Sequence, residues 1–460
     1  MAADGYTDNS LTIGTIDIGA GTTDVMVCTY RKATDGQKRL SPEPLFYDSF
    51  TLAGDDILQA IIQNFVIQGA YHNDAHIGSI NSALTARLLA MPEEELRHIP
   101  SLSRFESYRA KVEEILVMNA DSVELKNQKK RELAADMTNG FFGADIAAMD
   151  YKARRCRLDF NTQISHPMSQ FFMEQMRLKR PNRVFSFNDI FPKEKPASYL
   201  LDYFESHFGF RFESLAWHFD PEAINTIICS VMEGLMKQLS VLLHAYHCDI
   251  IVLGGRPTSL DVITELFVKY VPVTPDRLVR LNSYHVGHWY PFADANGFFF
   301  DQKPIVAVGA MVGYMASTVG FKGMALDLSL LIKNMSSTAR YVGIYDSSQQ
   351  RVEDARLTPD NATASFDISI FPCNLGCRQL DSPQYQARPL YAIYNHSGRT
   401  PLRVMVSRSF QDDRELLTLE EATYEGETIA KNKVELVPQS LPDDASYWLD
   451  KGEFKLQISN

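Results

Sequence analysis

The chain has few cysteines and no excess of positive charge. Its six cysteines are scattered along 460 residues. Thiols scattered in this way are unlike the dense framework of a disulfide-stabilised secreted domain, so we expect them to be reduced. Lys and Arg number 45 against 57 Asp and Glu, which leaves a net charge of −12. A chain of that sign repels polyanions, which argues against nucleic acid as a partner.

Long apolar runs are also missing. No segment approaches the roughly 20 uninterrupted apolar residues that cross a bilayer. The longest apolar stretch, Asn225 to Tyr246, contains Glu233 and Lys237. The N-terminal residues 1–10 lack the basic and then apolar pattern of a secretory signal. We therefore predict no transmembrane segment and a cytoplasmic location, with secretion without a classical signal as the alternative.

The composition is that of a packed globular protein. Hydrophobic residues make up 45% of the chain and charged residues 22%, which is too apolar for a disordered chain. At roughly 150 residues per domain, a chain of 460 residues is expected to form two or three domains.

Two stretches have a clear periodicity. From Ile57 to about His218, apolar residues recur at helical spacing. Three prolines divide that stretch: Pro181, Pro192 and Pro196. After Phe321, segments such as 366–370, 402–406 and 454–458 alternate with a period of two, which predicts strands. We therefore predict a first domain over residues 1–325, with a helical insertion at about 57–218, and a β-rich domain over residues 326–460.

The strongest local signal is a Gly-rich hairpin. Alternating apolar residues flank the turn in TIGTIDIGAGTTDVMVCTY, residues 12–30, which predicts two strands and a tight connection. Glycines let backbone N–H groups turn toward an anion, and threonine hydroxyls add donors. The predicted phosphate-binding residues are Gly19, Ala20, Gly21, Thr22 and Thr23. Mg²⁺ uses one or two protein carboxylates, so Asp17 and Asp24 are its predicted ligands. An ordinary Gly-rich hairpin is the alternative, because short Gly motifs recur by chance.

A second glycine-containing segment follows a predicted long helix. Asp220 and Pro221 predict the start of that helix, because Asp suits the N-cap and Pro suits the first turn. The helix is expected to end before Asp249. There the sequence DIIVLGGRP, residues 249–257, predicts a short buried strand that stops at two glycines.

Four segments, in order, resemble signatures of the actin, heat-shock chaperone and sugar-kinase superfamily of ATPases. The hairpin resembles its second phosphate-binding hairpin, and LAGDDI at 52–57 resembles the segment that opens the first helix of the second lobe. Residues 249–257 resemble the adenosine motif, and PIVAVGA at 304–310 resembles the second connecting helix, where helices cross closely. The resemblance implies an α/β fold, an actin-like (ribonuclease H-like) ATPase lobe, with ATP and Mg²⁺ as cofactors.

The adenosine motif implies three further binding residues: Gly254, Gly255 and Arg256. A Cβ at either glycine would strike a base or ribose lying against the backbone, and a planar guanidinium can lie on an adenine face. In the chaperones the arginine comes a little later, after a small polar residue. Arg256 departs from that pattern.

The first lobe of that superfamily has no counterpart in this sequence. The nucleotide lies between two lobes, and we find neither the other phosphate hairpin nor a residue that orients the attacking water. We therefore expect the later half of a longer protein, which binds nucleotide weakly and hydrolyses little or none alone. The chain most resembles the C-terminal half of the large bacterial SrfB-type virulence-factor proteins, which implies a role in host interaction or secretion.

Two surfaces and an upstream lobe are the expected partner contacts. Residues 152–195 contain ten basic residues against four acidic ones, which suits an acidic partner or an anionic membrane unless acids elsewhere pair with them. The β-rich domain has no obvious catalytic residues and is the other surface for a protein partner. The alternative to nucleotide binding is a non-catalytic scaffold or partner-binding protein that keeps an actin-like fold.

Other metal-binding patterns are incomplete. Three pairs contain ligand types: Cys373 and Cys377, His72 and His76, and His244 and His247. Each pair lacks the further ligands that a zinc site needs, so packed or surface side chains are the favoured interpretation.

Overall fold

The computed structural model describes residues 10–33, 38–69, 79–119, 122–143, 151–271, 273–299, 302–321, 324–329, 331, 338–411, 414–439, 448–456 and 458. The chain divides into two compact units. The sheet unit comprises Met1–Ala53, Leu235–Thr258 and Phe267–Ala445, and the helical unit comprises Gly54–Gly234, Ser259–Leu266 and Ser446–Asn460. The division at residue 325 that the sequence favours is a different partition and stays a prediction.

The strands are β1 (Ser10–Ile18), β2 (Thr23–Lys32), β3 (Arg39–Phe50), β4 (Arg183–Ser186), β5 (Ala216–Phe219), β6 (Ile250–Gly254), β7 (Leu278–Arg280), β8 (Ala325–Leu326), β9 (Tyr341–Ile344), β10 (Ala355–Leu357), β11 (Thr363–Ile368), β12 (Cys373–Arg378), β13 (Arg388–Asn395), β14 (Leu402–Gln411), β15 (Arg414–Tyr424), β16 (Glu427–Thr428) and β17 (Val434–Pro438).

The α-helices are α1 (Gly54–Ile61), α2 (Ile80–Ala90), α3 (Pro100–Arg104), α4 (Glu106–Val117), α5 (Val123–Phe142), α6 (Tyr151–Phe160), α7 (His166–Arg177), α8 (Phe187–Ile190), α9 (Ser198–Phe208), α10 (Pro221–Ala245), α11 (Asp261–Tyr270), α12 (Ile305–Thr318) and α13 (Trp448–Lys451). Segments Ile62–Gln68 and Asn161–Ser165 are π-helical. Short 3₁₀ turns occupy Glu93–His98, Phe212–Ser214, Arg256–Ser259, Pro275–Arg277, Leu281–Ser283 and Lys431–Lys433.

A mixed six-stranded sheet forms the centre of the sheet unit. Its strand order is β7-β6-β1-β2-β3-β8. Strand β1 pairs antiparallel with β2 and parallel with β6, while β2 and β3 are antiparallel. The predicted hairpin is confirmed, and its alternation has a physical cause: Ile16, Ile18, Val25 and Val27 are all at most 2% exposed. The fold is mixed α/β, and its likeness to an actin-like lobe stays a proposal.

The sheet unit also contains a β-sandwich. Its sheets have the orders β10-β9-β12-β13-β17 and β11-β14-β15-β16. Side chains from both sheets form one buried cluster that includes Val342, Leu375, Ile393, Val404 and Leu417. The predicted strands at 366–370 and 402–406 correspond to β11 and β14. The period of two at these positions therefore reflects one face turned into this core.

The strand predicted at 454–458 is wrong. The described residues there form no strand, and they belong to the helical unit. Phe454 is 1% exposed, its N–H donates to the Phe142 carbonyl at 2.9 Å, and its ring lies 5.9 Å from that of Trp448. The apolar residue is buried against helices rather than in a sheet, and a periodicity of two cannot distinguish these outcomes.

The helical unit is held together by aromatic side chains. The ring of Phe160 lies 5.3 Å from that of Phe141 and 5.9 Å from that of Phe204, and Phe204 lies 4.5 Å from Phe208. The prediction of helices over most of 57–218 is confirmed. The sequence did not predict β4 and β5, which pair antiparallel within this stretch.

The predicted long helix after Asp220 is α10. The Asp220 carboxylate caps it by accepting the N–H of Glu222 at 3.0 Å. Among the described residues, α10 alone is long and apolar enough to cross a membrane, and half of its most apolar window is buried. Its exposed side carries Lys237 and His244, as in a helix with one packed face. Length and composition are a weak indication, so the absence of a transmembrane segment stays a prediction.

Candidate functional site

The Gly-rich hairpin places two carboxylates opposite each other. Asp17 of β1 and Asp24 of β2 are register partners. The turn between the strands is closed by Gly19, whose N–H donates to the Thr22 carbonyl at 2.8 Å. Ala20, the next residue, is exposed, as is Asp24. The turn therefore presents backbone and carboxylate groups at one end of the central sheet.

The second glycine segment lies at the same end of the sheet. Strand β6 runs parallel to β1, and Gly254 is the register partner of Asp17. The chain goes from β1 to β2 and β3 on one side, and later returns to β6 and β7 on the other. In open α/β sheets, ligands bind outside the carboxyl ends of strands where the strand order reverses in this way. The structure thus brings together two predicted motifs that lie far apart in sequence.

The two threonines of the hairpin differ in environment. Thr22 is exposed, and its hydroxyl lies 3.3 Å from Asp24 Oδ2. Thr23 is fully buried, and its hydroxyl donates to the Leu52 carbonyl at 2.7 Å. A phosphate would have to take that donor away from Leu52. Thr22 and the exposed Gly21 are therefore better placed for an anion than Thr23, whose predicted role stays a prediction.

The pKa of Asp17 is shifted. Burial raises it, and the negative charge of Asp24 raises it further. Both causes disfavour the ionised form of Asp17. A cation between the two carboxylates would favour that form and so lower the pKa again. The pair has the ligand type and number that Mg²⁺ takes from a protein, with water completing its shell.

Close contacts within the fold explain why glycine occupies the two glycine positions of the adenosine-type segment. Gly255 has a φ of +89°, and a Cβ there would lie 2.0 Å from the Ile18 carbonyl oxygen. At Gly254 the nearest atom to a Cβ would be Leu281 Cδ1, at 3.0 Å. A Cβ at Gly255 would thus clash with β1 even without a ligand, and the contact of Gly255 with a base or ribose stays a prediction. Arg256 is exposed and begins the 3₁₀ turn that precedes α11.

The family follows from a comparison with known proteins. A family model described as virulence factor SrfB matches residues 2–99 and 111–455. The chain belongs to the SrfB virulence-factor family. The match covers nearly the whole chain and confirms the resemblance to SrfB-type virulence-factor proteins, whereas a place in their C-terminal half stays a prediction. No curated protein matches the chain significantly.

The part of the chain that the structure describes contains no cluster of metal-ligand side chains beyond pairs. No group of three or more His, Cys, Asp or Glu side chains is arranged to hold an ion there. All six cysteines lie in described parts of the chain, and none of them forms a disulfide bond there. Burial raises the pKa of Cys373 to about 11, which makes its thiol a poor ligand. His72 and His76 lie outside the described residues.

The basic segment, residues 152–195, has polar contacts at five or more of its ten basic side chains. Four of its cations form ion pairs: Arg155 with Asp159, Arg177 with Glu174, Lys179 with Asp261, and Arg183 with Asp189. A fifth, Arg157, is 3% exposed and donates to the Phe141 carbonyl at 2.7 Å. These contacts favour the interpretation of a paired, solvated surface, and binding of a partner there stays a prediction.

Two contacts at the site were missed from the sequence. Asn282 Nδ2 donates to the Thr258 carbonyl at 3.2 Å, and Leu281 packs on Gly254. Both residues follow β7, a strand of three residues. A strand of three residues has too little periodicity to be located from the sequence. Its position is seen only in the structure, where it pairs with the parallel strand β6.

Proposed function

We propose that this SrfB-family chain binds Mg-ATP at the common end of β1 and β6, as one half of an actin- or chaperone-like ATPase. The supporting observation is the register that places Asp17 opposite both Asp24 and Gly254. Phosphate-turn, carboxylate and adenosine-type segments thereby share one sheet end. In the proposal the turn binds the phosphates, the two carboxylates bind Mg²⁺, and residues 254–256 line the adenosine.

Hydrolysis requires more than this half. Phosphoryl transfer depends on a positioned water and on charges that close around the phosphates from both sides. Among its described residues, this chain offers candidates on one side only. We therefore expect binding with little turnover until a second lobe, encoded upstream, completes the site.

An exposed apolar helix supports the need for that lobe. Helix α12 has no charged residue, yet Val306 is 68% exposed, Met311 61% and Tyr314 66%. A Cβ at Gly309 or Gly313 would have no atom within 4 Å, so another helix can approach closely there. Uncharged apolar surface with Met and Tyr is typical of the centre of an interface. We propose the completing lobe as its occupant.

Calorimetric titration tests the nucleotide site. Mg-ATP is titrated into this chain and into a version extended upstream through the first lobe. Asp17→Asn should weaken binding in the extended protein at least tenfold, because it removes a metal ligand. Asp367→Asn is the matched control, since that exposed carboxylate lies in the sandwich strand β11. Equal affinities for wild type and Asp17→Asn would overturn the assignment.

The same titration tests the role of α12. Met311→Glu should weaken Mg-ATP binding in the extended protein and leave the affinity of the short chain unchanged. Val241→Glu is its control, because Val241 is 71% exposed on another helix, α10. If both variants of the extended protein bind like wild type, the completing lobe does not dock on α12.

A scaffold without nucleotide is the second candidate. It is favoured by two contacts that give Thr23 and Gly255 a role within the fold without a ligand: the bond from Thr23 to Leu52, and the packing of Gly255 on Ile18. If neither the short nor the extended protein binds Mg-ATP, this function replaces the first.

A further inference from the structure

The C-terminal half of β3 has a single strand neighbour. Among the described strands, β8 pairs only with Arg39 and Leu40 of β3, so the C-terminal half of β3 pairs with β2 alone. A strand with one neighbour opens more readily than a strand paired on both sides. Other contacts along this half of β3 therefore influence how firmly it stays paired with β2.

A buried carboxylate connects this half of β3 to the sandwich. The Asp48 side chain is 6% exposed and accepts Arg388 Nη1 at 2.6 Å and Tyr385 Oη at 3.0 Å. The Ser49 N–H donates to the same carboxylate at 2.8 Å. Arg388 also donates to Thr338 Oγ1. Charge-assisted bonds of this kind are strong, and loss of one partner leaves the other charge buried.

The residues after Asp48 contact the hairpin. Ser49 is the register partner of Asp24, and Phe50 is the register partner of Thr23. Two residues further, the Leu52 carbonyl accepts the Thr23 hydroxyl at 2.7 Å. A segment of five residues thus contacts the sandwich at one end and the phosphate hairpin at the other.

We propose that Asp48 and Arg388 are positioning residues for the hairpin. The sandwich fixes the end of β3 through this ion pair, and β3 in turn fixes Thr23 and Asp24. The β-sandwich thereby has a role at the far end of the central sheet without contacting a ligand. The expected effect on Mg-ATP affinity rests on the proposed function, whereas the effect on the hairpin backbone does not.

Two substitutions separate positioning from general stability. Arg388→Gln removes the cation that Asp48 contacts. Arg378→Gln is the matched control, because Arg378 is a buried arginine on the adjacent strand β12 that donates to the Val352 carbonyl at 3.2 Å. Tyr385→Phe is a milder third variant that removes only the hydroxyl donor to Asp48.

Amide hydrogen exchange measures the hairpin directly in the full chain. Arg388→Gln should speed exchange of the β2 amides at residues 23–25 about tenfold, the effect of one lost strong hydrogen bond. Arg378→Gln should change these amides less than about twofold and act on the sandwich instead. Tyr385→Phe should give the same pattern as Arg388→Gln with a smaller change, and it decides the matter if Arg388→Gln does not fold.

Three results would overturn the proposal. The first is unchanged exchange at residues 23–25 in folded Arg388→Gln. The second is equal acceleration in Arg388→Gln and Arg378→Gln, which would show that the pair only stabilises the unit. The third, where Arg388→Gln does not fold, is wild-type exchange in Tyr385→Phe. Faster hairpin exchange together with no Mg-ATP binding in any protein would keep this inference and reject the nucleotide site.

Discussion

Asp17 and Asp24 lie directly across the β1–β2 hairpin as register partners. Both carboxylates lie at the end of the sheet where strand β6 ends at Gly254. Their repulsion is a property of the folded chain, because only the strand pairing brings them together. Any bound cation would reduce it, and so would removal of either charge.

Removal of the Asp24 charge should lower the pKa of Asp17. In Asp24→Asn the repulsion is lost and burial remains, so the pKa of Asp17 falls but stays above its ordinary value. Carboxyl chemical shifts followed by NMR during a pH titration measure this. Asp367→Asn should leave the titration unchanged, and an unchanged pKa in Asp24→Asn would show that the two carboxylates do not interact.

The buried imidazole of His207 should make the helical unit sensitive to acid. Its ring N–H donates to the Met137 carbonyl at 2.9 Å, and burial lowers its pKa from 6.5 to about 4. Between these values the unfolded chain binds a proton that the folded chain does not. This contribution is therefore fully present above pH 6.5 and is lost as the pH falls toward 4, by roughly 3 kcal/mol.

The free energy of unfolding, measured in urea at pH values between 7 and 4 in steps of about one pH unit, tests the role of His207. His207→Gln should be less stable than wild type at pH 7, with a shallower loss of stability on acidification. His288→Gln, at an exposed position, is the control and should follow wild type. A wild-type slope in His207→Gln would contradict the prediction.

The substitution Gly255→Ala should destabilise the sheet unit. The φ of +89° is unfavourable for a residue with a Cβ, and that Cβ would lie 2.0 Å from the Ile18 carbonyl oxygen. We expect a loss of at least about 2 kcal/mol in the free energy of unfolding. Gly309→Ala in α12 is the control, because its Cβ meets no atom within 4 Å and alanine favours a helix. Equal stability of both variants would mean that β1 and β6 are less closely packed than described.

The Asp48–Arg388 ion pair should show strong coupling in a double-mutant cycle. Arg388→Met leaves a buried carboxylate unpaired, so we expect a loss of about 3–5 kcal/mol. Asp48→Asn combined with Arg388→Met should cost clearly less than the sum of the two single variants, because no charge is then left alone. Chemical denaturation of the four proteins gives the coupling energy. Additive losses would show that the two side chains act independently.

Local patterns predicted the central hairpin and β6 but not the separate pair of strands β4 and β5. Ile16, Ile18 and Val25 alternate within one short window, and such alternation is visible without tertiary information. Strand β4 has four residues with one buried side chain and lies within a helical stretch, so its pairing with β5 had no comparable signal. The opposite error occurred at residues 454–458. Their alternating pattern predicted a strand, but Phe454 is buried against helices.

Only part of the candidate site could be predicted from the sequence. Short motifs drew attention to Asp17, Asp24 and Gly254, and the structure places them on adjacent strands as register partners. The ion pair of Asp48 with Arg388 was not identified, because its members are 340 residues apart and neither belongs to a motif. Pairings of that kind depend on how β3 and the sandwich pack, which one sequence does not specify.

The distance along the chain between β1 and β6 has a consequence for folding. The Thr12 N–H donates to the Asp249 carboxylate across a separation of 237 residues. At a synthesis rate of about 5–20 residues per second, β6 emerges tens of seconds after the hairpin. During that interval the central sheet lacks its parallel strands, while the helical residues between them already contain their own aromatic core. The order of synthesis thus favours packing among residues 54–234 before the two motifs of the candidate site can meet, whereas Ser446–Asn460 joins the helical unit last.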